Sequence, residues 1–168
     1  MDQVESSTAQ HRTGTFPFMA RDLLFDSGKP PPHLYRHDLE SFFYILVWAA
    51  LRYDFKLGVR LPTPERIQIW DSSMERAYNA KQSMIASMYT RDMILSHVQP
   101  QSRDRLVPWI ISLARLFANG CYAQGHARNN PEWDQKTLGG WITFQKFMEA
   151  LGREPRQLRP PQVDSATL

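Results

Sequence analysis

The amino-acid sequence predicts an all-α fold, and the clearest sign of it is an apolar run at residues 42–51. Every residue of this run is apolar or aromatic, and a helix without a polar face has to be surrounded by protein or lipid. The run is well short of the roughly 20 residues that cross a bilayer, so we expect it to be the central helix of a soluble core. Later segments carry apolar residues at helical spacing, and no convincing alternation of apolar and polar residues indicates a strand.

The central helix is predicted at residues 38–53. Asp38 and Glu40 fall in its first turn, where carboxylates interact favourably with the helix dipole. Residues 26–32 form a predicted loop, because they end in three consecutive prolines, which cannot continue a helix. Residues 1–12 are polar, and we expect this N-terminal segment to be disordered.

Two shorter helices are predicted after the central one. Residues 65–82 carry apolar side chains at helical spacing, namely Ile69, Trp70, Met74, Ala77 and Tyr78. Residues 84–97 continue with a methionine-rich helical segment, which Pro100 brings to an end.

The last third of the chain contains two further predicted helices. The first begins near Ser102 as its N-cap, or slightly later because of Pro108, and ends before Gly120. The second covers residues 137–151. Residues 153–168 contain three prolines and few apolar side chains, so we expect a disordered tail.

Composition indicates a small intracellular protein. The chain has 168 residues, of which 42% are hydrophobic, which is enough for one domain with a core. The net charge of +3 comes from basic residues spread along the chain without a Lys/Arg block, so we expect no nucleic-acid partner. The single cysteine, Cys121, excludes an internal disulfide and fits a reducing compartment. No signal-peptide pattern is present, so we expect the cytoplasm or nucleus and no membrane partner.

Two sequence motifs resemble a known family. Residues 14–22 read G-T-F-P-F-M-A-R-D, which resembles the G-T-x-x-Y-M-A-P-E end of a protein-kinase activation segment. Residues 36–41, R-H-D-L-E-S, resemble the start of the central helix of the kinase C-lobe. In this order and separation the motifs are most similar to fungal-type protein kinases. The resemblance covers about residues 11–53, and it is weaker at residues 70–81 and 144–153.

The resemblance implies a partial kinase fold. Residues 13–152 would form the helical lower half of a protein-kinase-like C-lobe, without N-lobe or catalytic loop, and residues 1–12 would correspond to the end of the activation segment. The family's activity would be ATP-dependent phosphoryl transfer to Ser/Thr hydroxyls, with ATP and magnesium as cofactors. The sequence contains no glycine loop, strand lysine, H-R-D or D-F-G element before Gly14. We therefore expect no catalytic residue and no cofactor in this chain.

Three functions remain open at this point. The chain is a C-terminal fragment of a kinase domain that is inactive alone, a non-catalytic helical protein-binding module, or an unrelated helical binding protein. The expected partner is a protein substrate or the missing half of a kinase domain. An apolar patch around Phe42, Phe43 and the segment of Phe16, Phe18 and Met19 would then be exposed, and the chain would self-associate through it.

The resemblance also assigns site residues. Gly14 and Thr15 would lie in the substrate-binding loop. Asp38 would hold the catalytic loop by accepting hydrogen bonds from its backbone, or it would only cap its own helix, and Glu40 would be structural. Asp22 would form a buried ion pair with a later arginine. Three candidates for that arginine are Arg103, Arg105 and Arg115.

No metal site is expected. His33 and His37 are four residues apart, as zinc ligands on a helix can be. The prolines before His33 oppose a helix at that point, and no third ligand accompanies the pair. Cys121 has no catalytic residue pattern around it and is expected to be a small buried residue.

Overall fold

The structure is a computed structural model that describes residues 16–24, 31–127 and 129–156. The described residues form seven α-helices and one two-stranded hairpin, in the order α1 (Arg21–Leu24), α2 (Tyr35–Arg52), β1 (Tyr53–Asp54), β2 (Val59–Arg60), α3 (Glu65–Gln68), α4 (Met74–Ala86), α5 (Met88–Leu95), α6 (Pro100–His126) and α7 (Phe144–Ala150). The predicted all-α fold class is confirmed. The expectations for residues 1–12 and for most of the tail lie outside the described residues.

The core lies where α2, α4 and α6 pack together. The helix α5 packs on α4, α7 packs on α6, and the short α1 packs on α4. Large apolar side chains that fill the core include Phe43, Tyr44, Trp70, Met84, Ile110 and Phe117. The three central helices all contribute to the main apolar cluster, and a second, smaller cluster of Met19, Leu24 and Ala77 lies between α1 and α4.

The helix α2 is the predicted central helix, but it has an open side. Phe43 and Val47 are fully buried, as expected of a core helix. Phe42 and Ile45 are 58% and 43% exposed, so the prediction of a helix without any exposed face was wrong. The neighbouring helices cover only one side of α2, which also explains why Phe43 lies in the core and not in the predicted patch. Met19 is buried too, and Phe16 and Phe18 are half-buried against the core, so this segment does not form an exposed patch.

The hairpin of β1 and β2 was not predicted. Its strands are antiparallel, and Asp54 pairs with Val59. The carboxylate of Asp54 accepts hydrogen bonds from the backbone N–H groups of Lys56 and Leu57, at 2.9 and 3.0 Å. Gly58 adopts a φ of 66°, which a glycine reaches without strain. Two-residue strands are too short for an alternating sequence pattern, so the prediction missed them.

The helix predicted at residues 65–82 is interrupted. The chain forms α3, then a 3-10 turn at Ile69–Asp71, and then α4. Ser73 begins α4 as its N-cap, since its hydroxyl accepts the backbone N–H of Arg76 at 3.4 Å. Ser87 caps α5 in the same way with the N–H of Thr90 at 3.2 Å. These side-chain caps offer the backbone a partner that favours a new helix start.

The helix α6 is longer than predicted. It begins at Pro100, where the missing N–H of proline costs nothing, and it continues through Pro108. Gly120 does not end it. A Cβ atom at Gly120 would lie 3.1 Å from Ile142 Cδ1 and 3.2 Å from Leu138 Cδ1, so the glycine allows the segment before α7 to approach the helix.

Among the described residues, α6 is the one helix that could cross a membrane by length and composition alone. It has 27 residues, and its most apolar window has a mean hydropathy of 1.2 with 28% of that window buried. The core helices of soluble proteins meet the same criterion, and α6 packs against α2, α4 and α7.

The last helix, α7, is shorter than its predicted range of 137–151. Leu138, Gly139 and Gly140 have φ angles of 52°, 64° and 80°, which a right-handed helix excludes. The helix begins only after Thr143, whose hydroxyl accepts the N–H of Lys146 at 3.2 Å. Gly152, with a φ of 65°, follows it as the sequence predicted.

Candidate functional site

A buried ion pair joins α1 to α2. Arg21 Nε donates to Glu40 Oε1 at 2.7 Å, and the backbone N–H of Arg21 donates to the same oxygen at 3.1 Å. The hydroxyl of Tyr44, one turn further along α2, also donates to it at 2.7 Å. The side chains of Arg21 and Glu40 are only 5% and 3% exposed. The pair is therefore removed from water, and its hydrogen bonds offset the cost of burial.

The guanidinium of Arg21 extends this contact to two further helices. Its Nη1 donates to Gln82 Oε1 on α4, and its Nη2 lies 3.0 Å from Cys121 Sγ on α6. The planar fork of an arginine can hold several acceptors at once in fixed directions. Cys121 is half-buried at this contact and not fully buried as predicted. Arg21 therefore connects α1, α2, α4 and α6.

The pKa values in this network follow from burial and pairing. Burial acts to raise the pKa of Glu40, but the charge and hydrogen bond of Arg21 outweigh it and hold that pKa below its usual value. Burial acts to lower the pKa of Arg21, yet Glu40 raises it. Burial and the charge of Glu40 raise the pKa of Tyr44 well above its usual value. Arg21 and Glu40 are thus charged, and Tyr44 is neutral, at neutral pH.

A second ion pair lies beside the first. Arg36 Nη2 donates to Asp22 Oδ2 at 2.6 Å, and His37 Nε2 lies 3.8 Å from the same oxygen. Burial acts against ionisation of Asp22, but His37 and Arg36 together hold its pKa well below the usual value. Asp22 does pair with a later arginine, but that arginine is Arg36. The three candidates proposed from sequence, Arg103, Arg105 and Arg115, are wrong.

His37 supports this pair from the start of α2. Its Nδ1 accepts the backbone N–H of Leu34 at 3.1 Å, which caps the helix. An imidazole that accepts at Nδ1 carries its hydrogen on Nε2, and Nε2 faces Asp22. The rings of His33 and His37 lie 5.7 Å apart. Among the described residues, no group of three His, Cys, Asp or Glu side chains could hold a metal ion.

Lys81 is a buried lysine whose hydrogen bonds, among the described residues, are made to backbone carbonyl oxygens. Its Nζ donates to the carbonyl oxygens of Phe16 at 3.2 Å and Met19 at 2.6 Å. The ammonium also lies 4.5 Å from the ring centre of Tyr44, within cation–π distance. Burial lowers the pKa of Lys81 to about 7, although Glu40 acts in the opposite direction. Lys81 thereby attaches the segment that follows residues 14 and 15 to the core.

An open cleft of about 830 Å³ borders these ion pairs. Its walls include the charged side chains of Arg21, Asp22 and Arg36, and the amides of Gln82 and Gln124. The positive charge of Arg36 on the wall is balanced by Asp22, and that of Arg21 by the neighbouring Glu40. Because the ion pairs satisfy one another, the arrangement is suited to holding helices together.

The exposed side of α2 is the second feature of the site. Tyr35, Asp38, Phe42 and Ile45 follow one another at spacings of three, four and three residues, so they share one helix face. We call these four residues the open face of α2. Their apolar members are 58%, 58% and 43% exposed. The face is thus apolar, accessible and long enough to contact another helix or loop.

Asp38 lies in this open face. We expected an acid at a buried helix start, but the Asp38 side chain is 50% exposed and lies 3.3 Å from His33 Nε2. Its predicted role in holding a catalytic loop stays a prediction. Gly14 and Thr15, the predicted substrate-binding residues, lie outside the described residues.

Sequence reasoning missed Arg21 and Lys81. Arg21 occupies the proline position of the A-P-E motif, and that departure was the available signal. Lys81 follows Ala77 by four residues and precedes Met84 by three, so it continues an apolar stripe whose members are buried. A lysine at such a position is expected either to reach the surface or to find buried acceptors.

Comparison with known proteins gives one finding. Residues 1–50 match the family model described as fungal protein kinase, which includes α1 and most of α2. No curated protein and no solved structure matches the chain. The match confirms the resemblance predicted from residues 14–22 and 36–41: residues 1–50 of this chain are similar to the fungal protein kinase family.

Proposed function

We propose that this chain is a C-terminal part of a fungal-type Ser/Thr protein kinase domain, that it is not catalytic alone, and that it binds the rest of such a domain. The observation that carries the proposal is the open face of α2. It lies within the segment that matches the family, and it presents Phe42 and Ile45 to solvent beside Asp38. A core helix that exposes an apolar face of this kind offers a docking surface for another protein.

The composition of the open face supports a protein partner. Full burial of a fully exposed Phe or Ile side chain contributes about 1.5–3 kcal/mol. Phe42 and Ile45 are already about half buried, so each would contribute roughly half of that on binding. Asp38 provides an acceptor for backbone N–H groups of the partner, which is the role that the resemblance assigns to it. The alternative function, a helical module that binds some other protein, rests on the same face.

The chain is expected not to bind ATP. Phosphoryl-transfer enzymes hold the nucleotide with a glycine-rich loop, a lysine and metal-binding carboxylates, and the sequence has none of these motifs. Calorimetric titration with magnesium and ATP should therefore give no measurable heat of binding. A dissociation constant in the ~micromolar range would contradict the proposal.

The chain is expected to bind a polypeptide that comprises the N-lobe and catalytic loop of a fungal-type protein kinase. The variant Phe42→Ser/Ile45→Ser should weaken this complex at least about tenfold, because the anchors of an interface dominate its affinity. Fluorescence titration measures the affinity. Tyr89→Ser is the matched control, since Tyr89 is 75% exposed on α5, away from the open face.

Three outcomes of that titration are informative. Binding that is lost in the α2 variant and kept in the control supports the proposal. An equal loss in both variants, or no binding by the wild-type chain, contradicts it. Light scattering of the free chain gives a second measurement, because an uncovered open face should make the wild type self-associate more than the α2 variant.

A further inference from the structure

A groove lies between the hairpin and the start of α6. Its volume is about 440 Å³, and it is lined by Phe55 and Lys56 from the hairpin turn and by Gln101, Ser102, Arg105 and Leu106 from α6. Lys56 and Arg105 are exposed cations, and none of the lining residues is an acid. The groove therefore combines two apolar walls with a positive rim.

The hairpin turn that forms one wall is fixed by its own hydrogen bonds. Asp54 Oδ1 accepts the N–H groups of Lys56 and Leu57, and the Asp54 carbonyl accepts the N–H of Gly58 at 2.8 Å. The pKa of Asp54 lies below its usual value, and the hydrogen bond from the N–H of Leu57 is the largest cause of that shift. The ionised carboxylate of Asp54 is thus hydrogen-bonded to the backbone of the turn and holds its shape. A preorganised wall reduces the entropy that a ligand's binding costs.

The turn also exposes a set of large apolar side chains beside the groove. Phe55 is 58% exposed, Leu57 is 69% exposed and Val59 is 46% exposed. Tyr53 is 42% exposed, and its ring lies tilted against that of Phe55 with 6.2 Å between the ring centres. A rigid turn does not need four exposed apolar residues for its own stability, so the pattern indicates a surface that a partner covers.

We propose that this groove binds an acidic polypeptide segment that carries an apolar anchor side chain. The anchor would pack between Phe55 and Leu106, and carboxylates on either side of it would pair with Lys56 and Arg105. Apolar anchors with complementary rim charges are the common basis of peptide recognition. The concave shape favours a peptide over a bilayer, and the site shares no residue with the open face of α2.

The test uses the full chain and a fluorescein-labelled synthetic peptide, Ser-Glu-Glu-Phe-Glu-Glu-Leu-Ser, in fluorescence anisotropy. A second peptide has lysine in place of each glutamate. We expect the wild type to prefer the acidic peptide by about tenfold or more, with a preference that falls as salt is added. Phe55→Ser should weaken binding of the acidic peptide by about tenfold.

A charge reversal makes the test decisive. Lys56→Glu/Arg105→Glu should reverse the preference toward the lysine peptide. The matched control, Arg76→Glu/Arg153→Glu, changes the net charge equally at exposed positions outside the groove and should keep the acidic preference. If both double variants had the same effect, the net charge of the chain alone would explain the binding, and the proposal would be overturned. It would also be overturned if phosphatidylserine vesicles bound the chain and the acidic peptide did not.

Discussion

Replacement of Glu40 by Gln is expected to destabilise the fold by about 3–5 kcal/mol, because it leaves the buried guanidinium of Arg21 without its counter-charge. The glutamine keeps the shape of the side chain and can still accept from Tyr44, so the loss reports mainly on the charge. Domains of this size have about 5–15 kcal/mol of total stability, so the variant should unfold at a clearly lower denaturant concentration. Urea denaturation followed by circular dichroism measures the difference.

The same helix supplies the control for this prediction. Asp38→Asn removes an acid two residues earlier, whose contact with His33 is half-exposed, and exposed polar pairs contribute about 0–1 kcal/mol. The loss specific to Glu40 should also depend on pH. Its folded-state pKa lies below the ordinary value of 4.5, so the stabilisation is present above that pH and declines as the pH falls below it. If Glu40→Gln and Asp38→Asn had equal effects at pH 7, the buried pair would not stabilise the fold.

Replacement of Lys81 by Met is expected to remove a large pH dependence of stability. The folded-state pKa of Lys81 is about 7, and its ordinary value is 10.5. Between these two values the unfolded chain binds a proton that the folded chain does not, so stability rises with pH. At about 1.4 kcal/mol per pKa unit, the rise from pH 7 to pH 10.5 amounts to roughly 3–5 kcal/mol. The methionine fills similar space without a charge and should abolish this rise.

The measurement for Lys81 is a series of urea denaturations between pH 6 and pH 10 for the wild type and Lys81→Met. The difference in unfolding free energy between the two proteins should change across this range in favour of the wild type. Lys146→Met is the control, because Lys146 is exposed and also lies over an aromatic ring, that of Trp141 at 4.9 Å. Parallel pH profiles for the wild type and Lys81→Met would mean that the ammonium is not held out of water.

The positions of the main helices could be predicted because their signals are local. The apolar run at residues 42–51 located α2, and the apolar spacing after Pro100 located α6. The points where one helix ends and the next begins could be predicted less well. The start of α4 depends on the hydroxyl of Ser73, and the start of α7 follows the positive φ angles of Leu138, Gly139 and Gly140. Both are local backbone features that the spacing of apolar residues does not reveal. Gly120 was interpreted as a stop signal, but it provides space for Ile142.

The site could be predicted only in part, because the sequence does not show which residues far apart along the chain come into contact in the fold. Asp22 was expected to pair with an arginine, but the fold brings Arg36 to it, from the first turn of the next long helix. Glu40 was expected to be structural from its place near the start of the helix, but its partner Arg21 was not foreseen. The exposure of Phe42 and Ile45 depends on which side of α2 its neighbours cover, and no periodicity exists in an all-apolar run that would reveal that side.

The contacts of Arg21 determine how α1 opens. A four-residue helix has no stability of its own, because helix nucleation is unfavourable and short helices are marginal in water. The amide hydrogen of Arg21 is nevertheless bonded to Glu40, and its side chain is bonded to α2, α4 and α6. To expose that hydrogen to solvent, α1 has to release contacts with three longer helices at once. We therefore expect amide exchange at Arg21 to be slower than the fraying of an isolated four-residue helix would allow.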